Sequence, residues 1–369
     1  MKDQSIGVCC LQNPLDPKVW SRTPANVCGE LKARDRLGPA FWGLRHDSVA
    51  MKLRAGLMAL RHGRPLAVRQ FVHGPSLRRA HGRQISRQIG ASSVSQVLHF
   101  AGDRYLPLPA IGRPVRQFLL IDGTWAQWHR AELADPYPQQ VNEAARSTYQ
   151  QMEHIFCISD HARESLLGDY QVSANRITVV GSGPGGIVPY SGPKNYGDKT
   201  ILFVAKNRFA EKGGEVLLQA FSQAHLQEPS LRLWLVAGPE LAPRVRDLPG
   251  VTLFSGLPFA ELQKLFEQAS LYAMPAMLEP WGLVYLEALG CRTPVLGLDR
   301  GALRQITENG RHGFLVDQPD ATAIANALVR ALSDLGRLET MGREGQRFVF
   351  ENFSWSKVVQ RMLEVIDGC

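Results

Sequence analysis

In the stretch MPAMLEPWGLVYLEALGCRTPV (274–295) two carboxylates stand eight residues apart, Glu279 and Glu287. Pro280 suits the first position of a helix, and the spacing predicts one over 281–290. Eight residues of helix span about 12 Å, the distance from hexose to ribose in a nucleotide sugar. One carboxylate could accept hydrogen bonds from sugar hydroxyls and the other from a ribose diol. The helix N-terminus between them would face a diphosphate.

A second constellation lies in FVAKNRFAEKGG (203–214), where Lys206 and Lys212 are six apart in a loop ending in two glycines. Such a loop can set two cations and several backbone N–H groups against a diphosphate. Gly238 in LVAGPE and Gly256 in FSGLP each follow a predicted strand, where a ligand can approach bare backbone. Several such glycines at the carboxyl ends of parallel strands outline a crevice. The glycine motif GSGPGG (181–186) also follows a strand. A dinucleotide site needs a helix to begin at such glycines, and the prolines of IVPYSGPK after it predict none. Its expected role is a loop at a domain hinge.

These groups need a scaffold, and the apolar pattern supplies one. Short apolar runs alternate with amphipathic stretches, as in α/β folds. First-half strands are expected at 6–10, 94–100, 118–121, 155–158 and 177–180. Val49, Leu53, Leu57 and Leu60 recur at helical spacing and predict an amphipathic helix over 47–61. Residues 181–200, dense in Gly and Pro, read as a linker. Beyond it, strands at 201–205, 231–237, 251–255, 271–274 and 294–298 are expected to alternate with helices into a parallel sheet. The tail from Ser354 reads as a last helix.

Composition narrows the function classes. A chain of 369 residues with 44% hydrophobic and 21% charged residues is globular and long enough for two domains. No apolar run reaches the ~20 residues of a membrane span, and MKDQSIGVCC has no signal-peptide pattern. Six cysteines without a CxxC pair argue against a zinc ribbon or disulfide scaffold and fit a reducing cytoplasm. No HExxH or strand-linked DxD appears, so neither a metal nor a cofactor is expected. Residues 1–180 hold 23 Lys+Arg and 14 Asp+Glu, a balance of +9, and the remainder holds 19 and 20, a balance of −1. Ten basic residues and one acid lie between Arg45 and Arg87. That patch suits an anionic partner: a phosphorylated or lipid-linked acceptor, an anionic membrane face met peripherally through residues 45–87, or nucleic acid. The aromatics of a single-strand platform are not interleaved with these basic residues, so nucleic acid is not expected. His99 ends a predicted strand and suits either a cleft or the core. Trp20, Trp42, Trp125 and Trp128 read as core, with the lining of an acceptor cleft as the alternative.

KNRFAEKGG, the VAGP turn, EPWGLVYLE and NGRHGFLV (309–316) resemble retaining glycosyltransferases of group 1, the GT4 type. The resemblance covers 155–360 well and 1–150 more weakly. It implies the GT-B fold: α/β, two Rossmann-like domains facing across a cleft. The domains would be 1–182, with a C-terminal helix at 354–369 packing back on it, and 200–353, joined by a linker at 183–199. It implies a metal-independent cytoplasmic enzyme that moves a hexose from a nucleoside-diphosphate sugar, its co-substrate, to an acceptor, in the manner of polysaccharide biosynthesis. By position, Lys206 and Lys212 match the basic pair on the donor diphosphate. Glu279 matches the acid on the donor sugar, with the backbone of Pro280, Trp281, Gly282 and Leu283 beside it. Glu287 matches the acid on the ribose, and Gly256 and Leu257 the place of the base. Asp122 ends a first-domain strand where many relatives carry a histidine, and would be catalytic on the acceptor side. Arg22 stands where the family's first-domain loop usually has glycine. The alternative reading is a nucleic-acid or anionic-surface binder on a non-catalytic transferase fold.

Overall fold

The computed structural model describes residues 4–43, 75–102, 105–129, 136–205 and 208–368. They fall into two compact units, one made of 1–181 with 355–369 and the other of 182–354. The expected helix over 47–61 lies outside the described residues.

The N-terminal unit carries a parallel sheet of β1 (Ile6–Cys10), β2 (Leu37–Trp42), β3 (Gln96–Phe100), β4 (Arg116–Ile121), β5 (His154–Cys157) and β6 (Ile177–Val179), in the order β2-β1-β3-β4-β5-β6. Every residue of β1, β3 and β5 is buried. This is why these strands read as unbroken apolar runs: helices cover both faces of a parallel sheet. β2 was not expected, because LGPAFW places Gly and Pro inside a strand. It pairs only with β1, at the sheet edge, where a missing N–H is tolerated. The last helix, Trp355–Gly368, belongs to this unit. Arg36 grips Asp367 through two hydrogen bonds of 2.8 and 2.7 Å, Arg34 reaches Ser356 Oγ at 2.7 Å, and Arg361 donates to the Val180 carbonyl at 3.0 Å.

Of the tryptophans read as core, Trp125 is buried, but Trp20 is half-buried and Trp42 is 38% exposed on the edge strand. Trp20, Ser21 and Arg22 take left-handed φ values of 41, 52 and 70°. The Arg22 conformation accounts for a glycine preference there, since a Cβ is strained at such angles.

The C-terminal unit holds a second parallel sheet: β7 (Thr200–Ala205), β8 (Arg232–Ala237), β9 (Val251–Phe254), β10 (Leu271–Ala273), β11 (Val295–Leu298) and β12 (Gly313–Val316), ordered β12-β11-β10-β7-β8-β9. β12 was not expected, nor were the helices Ala321–Ser333 and Leu335–Asn352 that follow it.

Residues 183–199 are not a free linker but part of this unit. Lys194 Nζ donates to the carbonyls of Phe266, Glu267 and Cys291, each at 3.1 Å, and to Thr293 Oγ1 at 2.7 Å. The three carbonyls stand at the C-termini of helices Phe259–Gln268 and Leu283–Gly290, where such groups lack helical partners, and the ammonium supplies one. Burial pushes the Lys194 ammonium down to about 7.

His99 is structural. It is fully buried, its Nδ1 lies 3.2 Å from the Tyr105 hydroxyl, and that hydroxyl donates to the Cys9 carbonyl. Burial pushes His99 down to about 4. Between pH 6.5 and 4 the unfolded chain therefore takes up a proton that the folded chain refuses. The contribution is complete above pH 6.5 and lost on acidification, by roughly 3 kcal/mol in all. His154, lowered chiefly by burial, acts in the same direction. Denaturant titrations from pH 7 to 4 should show stability falling across this window, with a distinctly shallower slope in His99→Gln. Equal slopes would assign the acid sensitivity elsewhere.

Candidate functional site

The order of the second sheet reverses between β7 and β10. The chain winds outward from β7 through β8 to β9, then returns and winds from β10 through β11 to β12. Because all strands are parallel, their carboxyl ends lie along one edge. The two loops that leave β7 and β10 there diverge onto opposite faces and open a crevice between them.

The loop after β7 contains Arg208, Lys212 and Gly213; Lys206 lies outside the described residues. The loop after β10 runs from Met274 to Gly282 and carries Glu279. The two are tied together. Met277 N–H donates to the Glu211 carbonyl at 2.9 Å, and the Arg208 guanidinium donates to the Leu278 carbonyl at 3.1 Å. Gly213, at φ 81°, lies so close that a Cβ there would stand 2.0 Å from the Pro275 carbonyl oxygen. Glycine is required on both counts.

The helix of the E-x7-E stretch is Leu283–Gly290, two residues shorter than expected at its start. Gly282, at φ 85° and ψ 66°, terminates it on the N-terminal side. Pro280 is therefore a loop residue rather than the first helical one. Glu279 and Glu287 are not joined by a continuous helix, so the 12 Å axial spacing does not apply. Glu279 stands in the loop before the helix N-terminus and Glu287 within the helix, both half-buried. The Trp281 side chain is not available to a ligand: it is 3% exposed, donates from Nε1 to Ser182 Oγ at 2.6 Å, and packs edge-on against Phe353. What Trp281 offers the crevice is backbone. Tyr285 braces the loop by donating to the Met274 carbonyl at 2.6 Å.

Electrostatics bring the charged groups together. Burial lowers the Lys212 ammonium, the Glu279 charge opposes that shift, the Arg208 cation adds to it, and Glu287 again opposes it. Lys212 thus lies within the fields of both carboxylates. Arg208 is a member the sequence reading overlooked, although KNRFAEKGG contains it between the two lysines. Gly238 follows β8 and Gly256 and Leu257 follow β9 on the same sheet edge. Gly256, at φ 64°, has open space where a side chain would stand.

Glu287 Oε1 accepts hydrogen bonds from Gly186 N–H at 2.7 Å and Ile187 N–H at 3.1 Å. The GSGPGG loop is thus part of this site's construction, and no helix begins at its glycines. In the N-terminal unit, Asp122 directly follows β4 and accepts from Trp20 Nε1 at 3.0 Å.

Residues 198–334 match the family model described as Glycosyl transferases group 1. Over 144 residues the chain is 37% identical to the D-inositol 3-phosphate glycosyltransferase of Salinispora tropica, covering 39% of this chain and 28% of that one. It is 26% identical over 186 residues to the GDP-mannose-dependent alpha-(1-6)-phosphatidylinositol monomannoside mannosyltransferase of Mycolicibacterium smegmatis, covering 47% and 49%. The chain therefore spans about a quarter of the first relative's length and about half of the second's. Anabaena HepE, solved in complex with UDP-glucose, is similar with a TM-score of 0.70 at 16% identity, over 99% of this chain and 100% of that one. This likeness shows the fold, which is GT-B.

The loop pair should depend on Gly213. Gly213→Ala adds a left-handed strain of about 1 kcal/mol and a clash with backbone that cannot swing aside. A total loss of at least about 2 kcal/mol is expected. Denaturant unfolding and hydrogen exchange at the Met277 amide would report it. Unchanged stability and unchanged Met277 protection would show that the loops do not depend on this contact.

Proposed function

We propose that this chain, whose C-terminal unit belongs to the group 1 glycosyl transferases, moves a hexose from a nucleoside-diphosphate sugar to an acceptor, with retention at the anomeric carbon. The observation that carries this reading is the meeting of Lys212, Glu279 and Glu287 at the switch point of the second sheet. Two carboxylates suit the hydroxyl-bearing ends of a sugar nucleotide, and the cations suit its charged middle. The names of the relatives, with GDP-mannose in one and UDP-glucose in the HepE complex, support the same donor class.

In this reading the donor sugar's hydroxyls donate to Glu279, beside the backbone of Pro280 to Leu283. The ribose diol donates to Glu287. The base lies by Gly256 and Leu257, and Gly238 admits a close approach of the ligand to the backbone. As the glycosidic bond lengthens, positive charge develops on the sugar ring and negative charge on the leaving phosphate oxygen. Lys212, with Lys206, Arg208 and the N-terminus of helix Leu283–Gly290, stabilises the leaving charge without a metal or other cofactor. The acceptor hydroxyl attacks from the face the diphosphate leaves, and Asp122 serves the acceptor side.

The acceptor is proposed to be anionic or lipid-linked, with the enzyme peripheral on the cytoplasmic membrane face. Of the basic stretch 45–87, the described part lies on helix Pro75–Gly90. Arg79, Arg83 and Arg87 recur every four residues there and are all exposed, so they share one face. No described helix is long and apolar enough to cross a membrane. A nucleic-acid binder on an idle fold is not favoured by relatives named as glycosyltransferases.

Incubation with UDP-, GDP- and ADP-sugars should release nucleoside diphosphate from at least one, and failure to bind or turn over any would sink the reading. With the active donor, Glu279→Gln should keep its thermal midpoint but fall below a tenth of parental turnover, a loss above about 1.4 kcal/mol. Lys212→Ala should weaken the nucleoside diphosphate by about 1–3 kcal/mol and leave the nucleoside unaffected. Equal losses for both ligands would remove the diphosphate assignment.

Each basic side chain near an anionic bilayer contributes about 1 kcal/mol, and screening shortens its reach to about 3 Å at 1 M salt. Co-sedimentation with anionic vesicles at low salt, reversed at high salt and weakened in the Arg79/Arg83/Arg87→Ala triple variant, is the expected result. Equal sedimentation with neutral vesicles would discard the membrane reading alone.

A further inference from the structure

The glycine motif at 181–186 lacks the helix of a dinucleotide site, yet its geometry is specific. Two successive backbone N–H groups, of Gly186 and Ile187, converge on one oxygen, Glu287 Oε1, at 2.7 and 3.1 Å. Converging main-chain N–H groups make a backbone anion site, and here the anion is the protein's own carboxylate. A Cβ on Gly185 would lie 2.3 Å from the same oxygen and 3.0 Å from the carboxyl carbon. Its φ lies outside the left-handed region, so it is the approach of Glu287, rather than the backbone conformation, that calls for glycine at 185.

We propose that Gly185, Gly186 and Ile187 are positioning residues for Glu287. They hold Oε1 and so orient the carboxylate toward the ribose diol, which makes the site selective for ribonucleotide over deoxyribonucleotide donors. This rests on the placement of Glu287 at the ribose under Proposed function. The physical reasoning is preorganisation. A glutamate side chain has several rotatable bonds, and a ligand that must order it binds more weakly than one that finds it ordered.

Gly185→Ala tests this without altering Glu287. The added methyl meets the far end of a flexible side chain, so the carboxylate, not the backbone, is displaced. Calorimetric titration of the full chain would use the tightest-binding of UDP, GDP and ADP, together with its 2′-deoxy counterpart. A hydrogen bond to a charged group predicts a parental preference for the ribonucleotide of about tenfold or more. In Gly185→Ala the preference should fall below about twofold, with affinity for the deoxynucleotide and the thermal midpoint unchanged. A merely structural role would weaken both ligands alike. A variant that keeps the parental ratio overturns the positioning role. A parent with no preference overturns the placement of Glu287 and the inference with it. Should Gly185→Ala not fold, Gly186→Pro, which deletes one donor N–H, gives the same two-ligand ratio.

Discussion

The hydrogen bond from Met277 N–H to the Glu211 carbonyl is the tie on which the candidate site depends. Two loops leave neighbouring parallel strands at the point where the sheet order reverses, and topology alone would let them diverge. The backbone bond, the Arg208 contact to the Leu278 carbonyl, and a glycine that allows Pro275 to come close instead hold them at a fixed separation. Lys212 and Glu279 sit on the two sides of that tie. Their mutual field, visible in the way Glu279 opposes the desolvation of Lys212, exists because the loops are bound to each other before any ligand arrives.

A second level of constraint fixes the helix that carries Glu287. Its start is set by Gly282, its first turn is braced by Tyr285 on the Met274 carbonyl, and its far end is closed by Lys194 on the Cys291 carbonyl. The same ammonium closes helix Phe259–Gln268. A single half-buried lysine thus links two helices of the unit. Taking its charge out of water is costly, and the four acceptors within 3.1 Å offset it only in part, since burial still pushes the ammonium down to about 7.

Much of this was legible in the residues. Apolar runs marked the strands buried on both faces, such as β1 and β7, and the glycines after β8 and β9 marked the sheet edge. The stretch holding Glu279 and Glu287 read as a strand-end loop followed by a helix, and it folds as the loop Met274 to Gly282 and helix Leu283–Gly290. The failures share a cause. β2 was hidden because an edge strand tolerates the Gly and Pro that argue against a central one. The helix start was misplaced because Pro280 is equally at home in a loop, and only the φ of Gly282 decides between them. GSGPGG does lie where the two units meet in sequence, but its hold on Glu287 could not be read locally because that partner is 100 residues distant in sequence. Local pattern reports propensity, whereas these three features are set by neighbours that only the fold brings close.

The chain order of the two units has a consequence for biosynthesis. The C-terminal unit is in effect an insertion, since its residues 182–354 separate the body of the first unit from its closing helix. On a ribosome adding about 5–20 residues per second, those 173 intervening residues take roughly 10–35 s to appear. Through that interval Arg34, Arg36 and the Val180 carbonyl await Ser356, Asp367 and Arg361. The second unit, contiguous in sequence, can complete its sheet first, and the unit synthesised first is the last to be finished.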